Sequence, residues 1–117
     1  MSAPMNRWYA RPVLFVADLH RAERFYVDKL GFAKRWHSED GAGTVCQVER
    51  NDCEIILCED ANRGRSRLFI ELTADGLAEL RRECAERSID TRDIWWGYDA
   101  LQVDDPDGNE LIFPLPR

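Results

Sequence analysis

Long apolar runs are missing from this chain. No stretch approaches the ~20 residues that a helix needs to cross a bilayer, and the opening residues lack the charged-then-apolar pattern of a secretory signal. Positive charge is in short supply as well: 16 Lys and Arg stand against 22 Asp and Glu, a formal net charge of −6. That balance argues against a nucleic-acid partner or a membrane surface, and it favours a cationic ligand wherever the acid gathers in a cleft. Histidine occurs only at His20 and His37, which leaves little from which to build a metal centre. The four cysteines, Cys46, Cys53, Cys58 and Cys84, contain no CxxC pair. They read as reduced thiols of a cytoplasmic protein rather than as a disulfide framework.

What the chain does have is a repeated order of elements in one domain. Its 117 residues, 44% hydrophobic and 32% charged, suffice for a single core. An apolar, β-branched strand over 12–16 is followed by Asp18, a good N-cap, and a helix over 19–30 whose Leu19, Ala22, Phe25, Tyr26 and Leu30 form one apolar stripe ending at Gly31. Strands are expected over 32–39, 43–50 and 53–58, with turns at 40–42 and at Asn51 and Asp52. After a polar linker over 61–65 the order recurs. A strand over 67–72, a helix over 75–87 with Leu77, Leu80, Cys84 and Ala85 on one face, and strands over 89–95, 98–103 and 110–113 complete it. The repeat βαβββ has an offset of about 55 residues, the signature of a duplicated unit. The first module covers about 8–60 and the second about 66–117. Between the last two strands, Asp105, Pro106, Asp107, Gly108 and Asn109 form a tight turn, with Pro106 presetting φ and Gly108 supplying a positive one.

Two runs, VLFVADLHRAERFYVDKLGF at 13–32 and DPDGNELIF at 105–113, resemble the vicinal oxygen chelate superfamily of glyoxalases, extradiol dioxygenases and bleomycin resistance proteins. The resemblance covers nearly the whole chain. It implies an α+β fold in which each module curls into a half-barrel, paired in a homodimer whose cavities draw on both chains, with strands swapped between them. In the metal enzymes of that superfamily a histidine opens each module's first strand and a carboxylate stands on each last strand. The matching positions here are Arg11, Arg67, Ile112 and, in the first module, Cys58 or its neighbour Ile56. Arginine stays protonated and is not a usual ligand, and a lone thiolate does not make a divalent-metal site. A shifted set of His37, Glu49 and Glu71 is the only substitute, and no spacing supports it.

The opening strand, with Pro12, Val13 and Leu14 and no histidine before it, is most similar to the bleomycin-resistance branch. Those proteins sequester a large, cationic, partly aromatic glycopeptide without transforming it, and the resemblance implies a small-molecule binder with no cofactor. Trp36, Trp95, Trp96 and Tyr98 are expected near the cavity as flat faces for a heteroaromatic ring or a cation. Alternation makes one of the adjacent Trp95 and Trp96 a core residue. Arg67, Phe69 and Glu71 are expected on the concave face, with Arg67 and Glu71 as a possible ion pair. Glu59 and Asp60 are placed near the cavity mouth, and His37 is either a ligand contact or a solvated strand histidine. A competing idea assigns Arg11 and Arg67, at equivalent places, to an anionic ligand, unless Glu71 and Glu110 neutralise them. Two other classes stay open: a metal-dependent lyase, isomerase or dioxygenase, and an interaction module whose cavity is filled by Phe15, Phe69 and the tryptophans.

Overall fold

The computed structural model describes residues 8–116 apart from 42 and 96. The described chain forms two four-stranded sheets, each a half-barrel with one helix on its outer face. In the first module these are β1 (Val13–Val16), α1 (Leu19–Arg24), β2 (Ala33–His37), β3 (Val45–Arg50) and β4 (Cys53–Glu59). In the second they are β5 (Arg67–Phe69), α2 (Ala74–Glu86), β6 (Arg92–Trp95), β7 (Asp99–Asp104) and β8 (Glu110–Pro114). The strand orders, β1-β4-β3-β2 and β5-β8-β7-β6, are the same once the modules are superposed. In each sheet the first strand pairs parallel with the last, and the other pairs are antiparallel.

Period-2 alternation sorts each strand into two faces. Leu14 and Val16, Cys46 and Val48, Ile55 and Leu57 turn toward the helices, as do Leu101, Val103, Leu111 and Phe113 in the second sheet, and together they form one core spanning both modules. Helix α1 starts at Asp18, whose carboxylate accepts from the Arg21 amide at 3.1 Å. It runs on through a wide π turn at Phe25–Lys29 and stops where Gly31 takes φ +74°. Helix α2 is capped by Thr73, which accepts from the Gly76 amide at 3.1 Å.

Several boundaries differ from the expectation, each for a local reason. Strand β5 ends at Phe69 rather than at 72; the Ile70 amide makes the last bond to β8, donating to the Ile112 carbonyl, before the chain turns to the cap of α2 at Thr73. Strand β6 begins at Arg92, the preceding residues being used to close α2, where the Ile89 amide reaches back to Cys84. On α2 the buried neighbour of Cys84 is Glu83, while Ala85 is exposed. Glu83 is tolerated there because Arg50 grips both of its oxygens, at 2.9 and 3.0 Å.

The Asp105–Asn109 turn does more than close a hairpin. Asp105 is 5% exposed and accepts from the Tyr26 hydroxyl, the Asn109 side-chain amide and two turn amides, at 2.8–2.9 Å. Asn109, fully buried, also donates to the Phe15 carbonyl at 3.2 Å and accepts from the Ser66 amide at 2.7 Å. Asp107 accepts from the Ala17 amide and from Arg21. The turn is therefore a polar clasp between the two modules. Loss of water around the Tyr26 phenol, together with the adjacent Asp105 carboxylate, holds that hydroxyl well above the usual tyrosine range.

Candidate functional site

The concave face of the first sheet is built from the residues between the core positions. Val13 and Phe15 on β1 lie beside Ile56 and Cys58 on β4, and Trp36 on β2 lies opposite Gln47 on β3. Gln47 is 2% exposed and its carboxamide is the hub of this face. The carboxamide oxygen accepts from Arg11 and, at 3.0 Å, from the Trp36 indole, while its nitrogen donates to Glu54 at 2.9 Å. The Tyr9 hydroxyl donates to the same Glu54 oxygen, which raises the pKa of the phenol. The Arg11 guanidinium also lies over the Tyr9 ring, 5.6 Å from its centre.

The second sheet repeats this set. Arg67, Gln102 and Glu110 stand where Arg11, Gln47 and Glu54 stand in the first, but the charges close on one another. Arg67 donates to Glu110 at 2.8 Å, and Gln102, 4% exposed, donates to Glu110 at 3.1 Å and to Asp104 at 2.7 Å. Hydrogen bonding from Arg67 lowers the Glu110 pKa. Arg92 completes the group on Asp104 at 2.9 Å. The ion pair at this position is thus Arg67 with Glu110; Glu71 stands exposed beyond the end of β5 and is not part of it.

The predicted site residues divide. Trp36 lies on the concave face of the first sheet, and Phe69 and Tyr98 come together beside the second, their ring centres 6.0 Å apart. His37 does not join them. A bulge between Lys34 and Trp36 sets the register so that His37 pairs with the core residue Cys46, and its imidazole, 5% exposed, donates to the Gly43 carbonyl at 2.9 Å. It is therefore neither a solvated strand histidine nor a cavity residue. Glu59 accepts from the Leu19 amide at 2.9 Å and so serves the start of α1, while Asp60 accepts from Asn62 and pairs with Arg63. Trp95 pairs with Asp99, placing it on the helix side of its strand, where it is 73% exposed rather than core. Trp96 lies outside the described residues.

A groove of about 600 Å³ opens where the modules meet, between Tyr9 and Pro12 on one side and the β5 to α2 connection on the other. Leu30, Leu68, Leu80 and Phe113 floor it, and Asp52, Glu54, Glu71 and Glu79 stand at its rim. The donor set on the concave faces does not fit a divalent metal. Arg11 and Arg67 offer only N–H donors, the Gln47 carboxamide oxygen already accepts two hydrogen bonds, and Ile112, fully buried, fills the place of the carboxylate. Among the described residues no three His, Cys, Asp or Glu converge on a point that could hold a metal ion.

Reasoning from sequence did not single out Gln47, Glu54, Gln102 or Asp104. A signal for the first three existed: the offset that relates Arg11 to Arg67 also relates Glu54 to Glu110, and it relates Gln47 to Gln102 within one residue, polar residues recurring in otherwise apolar strands.

Comparison with known proteins places these features. Residues 6–115 match the family model described as "Glyoxalase superfamily protein". A bleomycin resistance protein from Geobacillus stearothermophilus is 31% identical over 87% of this chain and 92% of its own length. Among solved structures, a bleomycin-binding protein complexed with bleomycin aligns with a TM-score of 0.71 at 21% identity, over 95% of this chain and all of that one. A lactoylglutathione lyase from Agrobacterium tumefaciens aligns with a TM-score of 0.72 at 17% identity, covering 94% and 95%.

Proposed function

Since the chain belongs to the glyoxalase superfamily, and its concave faces carry arginine, carboxamide and aromatic groups where a metal enzyme would carry ligands, we propose that it binds a small organic molecule and does not transform it. The reading follows the bleomycin resistance proteins to which the chain is similar. The ligand is an aromatic, cationic, antibiotic-like molecule, and no metal takes part. The observation that carries this reading is the combination of Arg11, Arg67 and Ile112 at the would-be ligand positions with open aromatics on the same faces.

Two properties accompany the proposal. The protein is a homodimer: Val13, Trp36, Phe69 and Tyr98 are each 39–43% exposed in the single chain, and a partner's half-barrel laid over them forms a closed crevice. It works in the cytoplasm, where a reducing environment suits the free thiols of Cys46, Cys53, Cys58 and Cys84. Within the crevice Trp36, Phe69 and Tyr98 supply flat faces, and Glu54 and Glu71 supply charge for the cation.

Isothermal titration with metal-free bleomycin tests the reading directly. Saturable binding that weakens at least tenfold in Trp36→Ala supports it, and sedimentation of the free protein should give the mass of a dimer. Absence of binding, or stoichiometric zinc, nickel, manganese or iron in the purified protein together with lyase or dioxygenase turnover, replaces it with the enzymatic reading.

A further inference from the structure

The two polar sets on the concave faces have the same residue types but opposite electrostatic outcomes. In the second module the guanidinium and the carboxylate meet directly at 2.8 Å, and the pair presents little net charge to a ligand. In the first module Gln47 stands between them, accepting from Arg11 on its oxygen and donating to Glu54 through its nitrogen. A carboxamide in that place holds a cation and an anion apart. Among the described residues Arg11 forms a hydrogen bond to Gln47 and a contact with the Tyr9 ring, and it forms no ion pair. Arg11 is itself exposed to solvent.

We infer that Arg11 is the anchor of an anion subsite, which takes a carboxylate or phosphate group carried on a flat apolar body. Three features build the subsite. Gln47, almost wholly buried, fixes the guanidinium from one side, and the Tyr9 ring backs it from another. The Trp36 indole, tied to the same carboxamide oxygen at 3.0 Å, stands beside it as a stacking face. Val13 and Ile56, adjacent in the β1 and β4 register, continue the floor away from the charge. A planar guanidinium that spends one N–H on Gln47 keeps others for the two oxygens of a carboxylate or phosphate, and holding it in advance removes part of the ordering cost of binding. Glu54, one carboxamide away, repels an anion that strays from Arg11 and accepts from any donor group on the same ligand.

The subsite concerns the first sheet alone and does not depend on bleomycin being the physiological ligand. Its test uses phenyl phosphate and benzoate as probes, with benzyl alcohol as the uncharged counterpart, on the full-length protein. The readout is the indole N–H resonance of Trp36, identified by its disappearance in Trp36→Phe. Both anions are expected to shift that resonance saturably, and benzyl alcohol is expected to shift it at least tenfold more weakly at equal concentration. Arg11→Gln should weaken anion binding at least tenfold, and Arg24→Gln, an exposed arginine on α1, should change it less than twofold. Arg11→Lys keeps the charge without the fork; it should weaken binding several-fold and serves if Arg11→Gln does not fold. No saturable shift with either anion, an equal response to benzyl alcohol, or undiminished binding in the Arg11 variants overturns the inference. Failure of bleomycin to bind overturns only the reading in the preceding subsection.

Discussion

Replacing Asn109 with alanine should cost this protein a large part of its stability, because one side chain serves both modules. Asn109 donates to the Phe15 carbonyl at 3.2 Å and to the Asp105 carboxylate at 2.9 Å, and accepts from the Ser66 amide at 2.7 Å. Two of these bonds are neutral and worth about 1 kcal/mol each net, while the bond to a carboxylate is worth roughly 1.5–3 kcal/mol. Truncation also leaves the half-buried Ser66 amide without its side-chain acceptor and the Asp105 Oδ2 with the Tyr26 hydroxyl alone. The expected loss is about 3–5 kcal/mol, a substantial share of the roughly 5–15 kcal/mol that holds a typical domain. Guanidinium denaturation followed by tryptophan fluorescence, at one fixed protein concentration, measures it. Asn109→Asp sharpens the test. It puts a second carboxylate beside Asp105 in place of the donor, so it should be worse than alanine at neutral pH, and acidification that protonates the new group should recover part of the loss. A change below about 1 kcal/mol in Asn109→Ala, or an Asn109→Asp variant indifferent to pH, would refute the claim that the clasp holds the modules together.

Further expectations concern other parts of the fold. Glu83 and Glu110 have pKa values lowered by hydrogen bonds from Arg50 and Arg67. A lowered native pKa contributes stability that is present above the unfolded value and lost as pH falls through the native one, so stability should decline below about pH 4.3; Glu83→Gln should flatten that decline in a pH series of denaturation midpoints. The Cys46 thiol is pushed up to about 11, chiefly by burial; native protein treated with iodoacetamide at pH 8 should carry no label at Cys46 by mass spectrometry, and denatured protein should carry it. Gly108 holds φ +81°, and a Cβ there would stand 2.7 Å from the Arg65 side chain. Gly108→Ala is therefore expected to lower stability by about 1–2 kcal/mol in the same denaturation assay.

The half-barrel order was readable because both modules use strong local signals. Asp18 before an apolar-striped helix and the Pro106–Gly108 turn before a short apolar strand specify elements within a few residues of themselves. What escaped was decided across strands. In the sequence His37, beside Trp36, reads as either a ligand contact or a solvated strand histidine, and the bulge at Lys34 to Trp36 that excludes both cannot be read from the strand itself. Glu59 and Asp60 look like a charged rim in one dimension, yet in three the first serves a helix start and the second a local turn. The sequence allows Trp95 a place in the cavity or in the core; pairing with Asp99 puts it on the helix side, where it is left to solvent. The polar hub at Gln47 depends on partners from three separate segments, at Arg11, Trp36 and Glu54, and no local pattern announces such a meeting.

The parallel pairing of first and last strands has a kinetic consequence. Val13 must find Ile56 and Arg67 must find Glu110, so each sheet is completed only when the two ends of its module come together, over chain segments of equal length. The antiparallel hairpins of β3 with β4 and β7 with β8 need only short loops and can form early, whereas both parallel closures carry the same larger loop entropy. Two matched late steps of this kind give neither module a head start. Until both are complete, β4 and β8 each leave one row of backbone amides and carbonyls unpaired, and it is during this interval that newly made chains are most exposed to pairing with one another.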